Sequence, residues 1–236
     1  MIEVLPRAFQ FVVLDFDGTL ADTRPAIIAA LAATFSDSNG VKPNHDALHA
    51  AVGRGLPLDA TLKHVAAALG LPCDDPETAR LVDVYRTQYP DHAVSASRPF
   101  AGFDPVLRQL KASQTAVAVV SNKGEAAIKT FLDHHGLADL VDFVLGDAPG
   151  RPRKPDAALL LNHVLPRAGR PPLDQVLVVG DTDVDLEFAR NSGVASCWAR
   201  FGYGDATACA ALSPDFTIDK PAELTALLGR RQAVQA

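Results

Sequence analysis

Two aspartates, Asp15 and Asp17, stand two positions apart at the end of an apolar run that begins at Phe9. A buried parallel strand reads as such a continuous apolar run, because both faces of its sheet are covered. Side chains alternate along extended backbone, so the two carboxylates share one side of the chain. Acids this close repel each other unless a cation, a proton or a polar ligand lies between them. The pair alone is compatible with a functional site or with a surface turn.

The same stretch also resembles part of a calcium-binding loop, because it has the pattern Asp15-x-Asp17-Gly18. An EF-hand loop places a glutamate at its twelfth position, where it binds the ion through both oxygens. Counted from Asp15, that position is Ala26. The sequence therefore argues against an EF-hand.

Three further polar clusters follow in the chain: Ser121-Asn122, Lys154-Pro155, and Gly180-Asp181-Thr182 with Asp185 three positions on. Taken singly, each has an ordinary explanation as a strand-end turn, a solvated lysine or a helix N-cap. Asp15, Ser121 and Asp181, however, each follow an apolar run that predicts a strand. Ligands of parallel α/β sheets bind beyond the carboxyl ends of the strands. The four clusters together favour a functional site over independent coincidence.

The sequence pattern around these clusters predicts an α/β fold. From Phe103 onward, predicted helices alternate with apolar runs, which indicates right-handed parallel crossovers and a Rossmann-like doubly wound parallel sheet. The predicted strands after the first are 115–120, 141–145, 176–179, 194–199 and 216–218. The predicted helices of this part are 103–111, 125–134, 156–165, one ending near 191, and 221–228.

Between the first strand and Pro99 the pattern predicts only helices, at 25–35, 46–52, 58–69 and 78–89. About 75 residues are too many for a connection in a compact domain. We therefore expect a helical cap domain of residues 23–98, inserted into a core domain of residues 1–22 and 99–236.

Composition sets the broad class. The 236 residues carry 48% hydrophobic and 21% charged side chains, with a net charge of −6, which is ordinary for a globular protein and argues against a nucleic-acid partner. The sequence shows neither a secretory signal nor an apolar stretch of membrane-spanning length. Three cysteines without paired spacing predict neither a disulfide framework nor a zinc site. We expect a cytoplasmic protein with no membrane partner; its oligomeric state is left open.

The four clusters, in this order, resemble the motifs of the haloacid dehalogenase superfamily, and the match runs over nearly the whole chain. The inserted helical cap is similar to that of the phosphoglycolate phosphatase and β-phosphoglucomutase branch. One departure is visible: many members of that branch have a second proline two residues after the Lys-Pro pair, where this chain has Ala157. This difference is expected to alter the turn and to leave Lys154 in place.

The resemblance implies a Mg²⁺-dependent phosphatase of a small phosphate ester. Asp15 would be the nucleophile that forms an aspartyl-phosphate, and Asp17 the acid and base that serves the leaving alcohol and then water. The metal ligands would be the carboxylates of Asp15 and Asp181 and the backbone carbonyl of Asp17, with Asp185 ordering bound water. Such a small oxygen ligand set suits Mg²⁺.

The resemblance also implies a phosphate-binding set. Ser121, Asn122 and Thr19 would contact the phosphoryl group, and Lys154 would offset charge on phosphate and nucleophile. In the cap, Gly53-Arg54-Gly55 looks like a loop that approaches a ligand closely, with Arg54 reading an anionic leaving group. An exposed arginine in a helix-terminating loop is the equally plausible alternative.

Other functions stay open at this level. A phosphomutase uses the same residues but returns the phosphoryl group to a sugar, and a non-catalytic phosphate-binding module retains the fold without turnover. Dehalogenases of the superfamily lack an acid at the position of Asp17, which argues against that chemistry. Lys123 is expected to be an exposed lysine, with phosphate contact as the alternative, and Asp183 to be only helix N-terminal charge. The substrate is not readable from the sequence.

Overall fold

The computed structural model describes residues 9–228 of the chain, so residues 1–8 and 229–236 of the predicted core domain lie outside the described residues. Its central sheet has six parallel strands in the spatial order β5-β4-β1-β6-β7-β8. These strands are β1 (Phe11–Leu14), β4 (Ala116–Gly124), β5 (Phe143–Asp147), β6 (Val176–Gly180), β7 (Ala195–Ala199) and β8 (Phe216–Ile218). The predicted doubly wound α/β sheet is confirmed.

Helices cover both faces of this sheet, as the alternation of β1 requires. Val12 and Leu14 belong to one buried cluster and Phe11 and Val13 to another on the opposite face. The helices of the core are α5 (Phe103–Ala112), α6 (Glu125–His134), α7 (Ala157–Leu159), α8 (Leu165–Arg167), α9 (Asp183–Ser192), α10 (Ala206–Ala211) and α11 (Ala222–Leu228). A π-helical turn, Leu160–Val164, joins α7 to α8, and short 3₁₀ segments span Ala138–Leu140 and Leu173–Gln175.

Four helices follow β1 and share a hydrophobic cluster of their own. They are α1 (Arg24–Asn39), α2 (His45–Val52), α3 (Leu58–Ala68) and α4 (Asp75–Ala96). Their cluster includes Leu31, Phe35, Leu62 and Leu81, all of them buried. We use the name cap for residues 23–98, and its division from the core remains our proposal.

The chain leaves and re-enters the core through a two-stranded antiparallel ribbon, in which β2 (Ala21–Asp22) pairs with β3 (Arg98–Pro99). No strand was expected here from the sequence, because pairs of two residues are too short to show any periodicity. The ribbon holds the two connections side by side.

Several predicted boundaries differ from the structure by a few residues, and the end of the last cap helix differs most. We expected the last cap helix to end at Tyr89, before Pro90, but α4 continues through Pro90 to Ala96. Proline removes one backbone donor and crowds the preceding turn. Tyr89 and Ala93, on either side of Pro90, both pack into the cap cluster, and this burial keeps the helix continuous.

Within residues 9–228, none of the helices combines the length and the apolar character that crossing a membrane requires.

Candidate active site

The polar clusters converge where the strand order reverses. Asp15 directly follows β1, and β1 lies between β4 and β6. Ser121 and Asn122 lie near the end of β4, and Asp181 directly follows β6. Because the carboxyl ends of parallel strands share one edge of the sheet, these side chains meet there, as ligands of such sheets do.

Three buried carboxylates and one lysine form the centre of the site. The Nζ atom of Lys154 lies 2.5 Å from an oxygen of Asp15 and 2.6 Å from an oxygen of Asp185. Asp15, Asp181 and Asp185 each place a carboxylate oxygen within 4.8 Å of the other two. Lys154 is only 6% exposed, and Asp181 is fully buried. The predicted grouping of these four residues is present in the structure.

Burial and crowding change how these groups hold protons. Burial raises the pKa of Asp15 to about 7, against the lowering effect of Lys154 and with a further rise from Asp185. Burial, followed by the charges of Asp185 and Asp15, raises the pKa of Asp181 well above its ordinary range. Burial opposes the charge of Lys154, but the adjacent Asp15 and Asp185 raise its pKa overall. The described residues thus supply more negative charge than one lysine balances.

This donor set fits a divalent cation. Three buried carboxylates that face one another with a single ammonium group leave a charge that a metal ion neutralises, and oxygen ligands suit a hard ion such as Mg²⁺. The Asp185 carboxylate is held at the start of α9, where its second oxygen accepts hydrogen bonds from the backbone N–H and the hydroxyl of Thr182, at 3.1 and 2.8 Å. One oxygen of Asp185 is therefore fixed by the fold, and the other faces Lys154.

Asp17 lies beside this centre and lines the cavity between the cap and the sheet. Its Oδ1 atom accepts a hydrogen bond of 2.5 Å from the hydroxyl of Thr23, at the start of the cap. Lys123 lies 3.1 Å from the same carboxylate. The prediction that Lys123 is exposed is wrong: its side chain is 10% exposed, and its ammonium group lies 4.2 Å from the ring centre of Tyr89 in the cap.

Asn122, Thr19 and Ser121, three of the expected phosphate ligands, each have hydrogen-bond partners within the protein. The side-chain amide of Asn122 accepts from the backbone N–H of Lys154 at 3.0 Å and donates to its carbonyl at 3.2 Å, so Asn122 holds the Lys154 loop against β4. The hydroxyl of Thr19 donates to Asp181 at 2.9 Å and thereby orients that carboxylate. Ser121 lines the cavity, and its hydroxyl oxygen accepts a hydrogen bond from the backbone N–H of Lys123 at 3.3 Å.

Arg54 does not join the site. Its side chain is exposed, and the cavity is lined instead by its neighbour Gly55. A Cβ atom on Gly55, which has a φ of +59°, would lie 2.7 Å from the hydroxyl of Thr182. The close approach expected of this loop is therefore made by glycine backbone against the core, and the structure does not support a ligand contact for Arg54. Asp183 lies in the first turn of α9 and does not line the cavity.

An ion pair between the core and the cap was not predicted from the sequence. The guanidinium of Arg153, next to Lys154, makes two hydrogen bonds to Asp147 at the end of β5, at 2.7 and 3.0 Å. It also binds both oxygens of Asp59 in α3 of the cap, at 3.0 and 2.9 Å. No local pattern marks this contact, because Arg153 and Asp59 are far apart in the chain.

Gly202-Tyr203-Gly204, in the loop after β7, is a second feature that was not predicted. A Cβ atom on Gly202 would lie 2.2 Å from the Cβ atom of Asp181, and one on Gly204 would lie 2.2 Å from the Asp181 carbonyl oxygen. The backbone N–H of Tyr203 donates to the Asp181 carboxylate at 2.6 Å. Two glycines flanking an aromatic residue after a strand were the available signal, since glycines mark a close backbone approach.

The hydroxyl of Tyr203 ties this loop to the connection that leads into the cap. It accepts hydrogen bonds from the backbone N–H groups of Thr23 and Arg24, at 2.7 and 2.9 Å, and donates to Asp22 at 2.8 Å. Through its backbone and its side chain, Tyr203 therefore joins Asp181 to the first turn of α1.

Tyr203→Phe is expected to lower the free energy of unfolding by about 1–3 kcal/mol, because it leaves the donors at the start of α1 without their acceptor. The phenylalanine ring retains the stacking with Arg24, whose guanidinium lies 4.0 Å from the ring centre, so the substitution isolates the hydroxyl. Denaturant unfolding followed by circular dichroism measures the change. An unchanged unfolding midpoint and slope would show that water replaces the hydroxyl at no cost.

Comparison with known proteins agrees with this geometry. Residues 12–199 match the family model of the haloacid dehalogenase-like hydrolases. The chain is 30% identical to a phosphoglycolate phosphatase of Aquifex aeolicus, over 93% of this chain and 96% of that protein, and 32% identical to one of Neisseria meningitidis, over 91% and 92%.

The fold also matches a solved structure, that of a predicted phosphoglycolate phosphatase from Haemophilus somnus, with a TM-score of 0.83. That match has 23% identity and covers 93% of this chain and 97% of the other. With the four motifs assembled at one edge of the sheet and most of the chain matched, the protein belongs to the haloacid dehalogenase-like hydrolases, in their phosphoglycolate phosphatase-like branch.

Proposed function

We propose that this protein is a Mg²⁺-dependent phosphatase that hydrolyses a small phosphorylated metabolite through an aspartyl-phosphate on Asp15. The observation that carries the proposal is the position of the Asp15 carboxylate. It is buried at the end of β1, 2.5 Å from Lys154, and lines the same cavity as Asp17 and Ser121. The names of the curated relatives make 2-phosphoglycolate the first ester to test.

The first step is attack of an Asp15 oxygen on phosphorus, while the bond from phosphorus to the ester oxygen breaks. A phosphate dianion repels an anionic nucleophile, so the attack requires positive charge nearby. Lys154 provides one such charge in direct contact with Asp15. Asp17 gives its proton to the departing alcohol oxygen. Ser121 lines the cavity, as Asp15 does, and its hydroxyl would bind a phosphoryl oxygen.

The second step reverses the role of Asp17. It takes a proton from water as the water oxygen attacks phosphorus, the acyl-phosphate bond to Asp15 breaks, and inorganic phosphate leaves. Asn122 contributes by holding the backbone of Lys154, and Thr19 by holding Asp181. Asp15 and Asp181 would hold the metal together with the Asp17 carbonyl, and Asp185 would order its bound water; a bound Mg²⁺ would supply positive charge toward the phosphoryl oxygens.

The test is release of inorganic phosphate from a panel of esters with Mg²⁺ present: 2-phosphoglycolate, sugar phosphates, nucleotides and p-nitrophenyl phosphate. One phosphate released per ester consumed is expected. Conversion of a sugar phosphate to its isomer without phosphate release would instead indicate a phosphomutase. Binding of phosphate without turnover of any ester would indicate a non-catalytic module.

Removal of divalent metal is expected to abolish phosphate release, and Ca²⁺ is expected to inhibit rather than replace Mg²⁺. Ca²⁺ takes about six to eight oxygen ligands at longer distances than Mg²⁺, and it would engage both oxygens of Asp15, leaving neither to attack. Activity is measured after chelation and after return of each metal, with metal binding followed separately by calorimetry. Undiminished turnover in the fully chelated protein would rule out this role for the metal.

A further inference from the structure

A cavity of about 630 Å³ lies between the cap and the carboxyl ends of the sheet strands. Asp15, Asp17, Ser121 and Lys154 form its polar end, where the phosphoryl group is expected. Cavities of this size hold ligands much larger than a two-carbon acid, since drug-sized molecules fill roughly 300–1,000 Å³. Phosphate and a two-carbon leaving group would leave much of this space unfilled.

The rest of the wall is apolar and aromatic. The cap contributes Ile27 and Leu31 from α1, Leu56 from the loop before α3, and Tyr85 and Tyr89 from α4, while the core contributes Phe131 from α6. Tyr85 and Tyr89 are buried, and their rings stack with centroids 5.5 Å apart. These apolar and aromatic side chains can pack against an apolar part of a ligand.

Of the lysines and arginines that line the cavity, and that could pair with a small carboxylate, the two lysines are already paired with carboxylates and the arginine is exposed to solvent. Lys154 is paired with Asp15 and Asp185, and Lys123 with Asp17. Arg86 also lines the cavity but is exposed to solvent, and Arg54 does not line it.

The two histidines of the wall do not fill this role either. His134 is exposed, and burial, together with the neighbouring His134, lowers the pKa of His135. A carboxylate set against the apolar wall would lose its hydration, and for an ionic partner it would have to compete with Asp17 for Lys123 or reach the exposed Arg86.

We propose that the ester hydrolysed at this site has a leaving alcohol with an apolar body about the size of an aromatic ring, which packs against Ile27, Leu56 and Tyr85. This inference rests on the proposed phosphatase function and narrows its substrate class away from 2-phosphoglycolate. The cap would then select its substrate by apolar burial rather than by ion pairing.

Three alkyl esters test the proposal: ethyl phosphate, 2-phenylethyl phosphate and 2-phosphoglycolate. Ethyl and 2-phenylethyl phosphate leave as primary alcohols of similar acidity, so their difference reports on the pocket rather than on the reactivity of the bond. We expect kcat/KM for 2-phenylethyl phosphate to exceed that of each of the others by at least about tenfold. Equal values, or a preference for 2-phosphoglycolate, would overturn the proposal while leaving the phosphatase function intact.

Two adjacent residues of α1 provide matched variants. Ile27 and Ile28 are both half-buried in the cap, but only Ile27 of the two lines the cavity. Ile27→Thr is expected to raise KM about three- to tenfold more for 2-phenylethyl phosphate than for ethyl phosphate. Ile28→Thr should change neither. Equal effects of the two variants would show a general effect on the cap rather than recognition.

A binding measurement separates this proposal from the phosphatase function. Calorimetric titration of the Mg²⁺-loaded protein with propylphosphonate, 3-phenylpropylphosphonate and 3-phosphonopropionate uses ligands that cannot be hydrolysed. Tightest binding of the phenyl compound is expected. If the phenyl compound binds most tightly but no ester is hydrolysed, the phosphatase function is rejected and the apolar recognition stands. If 3-phosphonopropionate binds most tightly, the apolar recognition is rejected.

Discussion

Asp15→Asn is expected to lower kcat by at least roughly a thousandfold for every ester the protein hydrolyses, as loss of a covalent nucleophile does. An amide oxygen is a poor nucleophile and a weaker metal ligand than a carboxylate. The substitution is nearly isosteric and removes one of three crowded buried acids, so the fold should persist. Phosphate release and circular dichroism of the same preparation measure both effects.

Asp183→Asn is the matched control for this substitution. Asp183 stands in the same motif as Asp181 and Asp185, but it is partly exposed and does not line the cavity. The activity of this variant should stay within about twofold of the parent, since surface substitutions of this kind have small effects. In the Asp15→Asn protein, mass spectrometry must exclude deamidation of the introduced asparagine back to aspartate. Residual activity within tenfold of the parent, in protein free of deamidation, would reject Asp15 as the nucleophile.

Asp17→Asn is expected to produce the second largest loss, about 10²–10⁴-fold for alkyl esters, which is the usual contribution of general acid–base catalysis. Asparagine still accepts the hydrogen bond from Thr23 but neither gives a proton to an alcohol nor takes one from water. The loss should be smaller for formation of the intermediate from p-nitrophenyl phosphate, whose phenolate leaves without protonation.

This variant should therefore accumulate phosphorylated protein when it is given p-nitrophenyl phosphate. A rapid burst of p-nitrophenol, close to one equivalent per site, followed by slow turnover is the expected time course. Equal losses on alkyl and p-nitrophenyl esters without a burst would show that Asp17 has only a structural role. Measurement of Mg²⁺ affinity by calorimetry guards against an indirect effect through the metal site.

The main parts of the site were predictable because each is marked by a short stretch of neighbouring residues in the sequence. The apolar run before Asp15 predicts a buried strand that ends at a functional residue. The same pattern predicts that Ser121 and Asp181 lie at the carboxyl ends of two further strands, and these strands, β4 and β6, flank β1. Lys154 carries no such strand signal of its own. Its position rested on the resemblance to the family, and the structure confirms that it contacts Asp15.

The parts that were missed depend on contacts between distant segments. Lys123 is buried only because Asp17 and Tyr89 approach it from β1 and from the cap. Arg54 was expected at the site, but its neighbour Gly55 lines the cavity instead. The sequence does not show this, because the distance from this loop to Thr182 depends on how the cap packs. Likewise, tertiary burial keeps α4 intact at Pro90, where the local rule for proline predicts an end.

The central claim, that Asp15 carries the phosphoryl group during turnover, is tested most directly by trapping the intermediate. The protein is mixed with p-nitrophenyl phosphate and Mg²⁺, quenched within milliseconds in acid, reduced with borohydride and digested for peptide mass spectrometry. Borohydride converts an acyl-phosphate to an alcohol, so homoserine should appear at position 15 only in the samples that received substrate. Phosphate release in a single turnover with aspartate unchanged at position 15, or with the modification at another residue, would contradict the account.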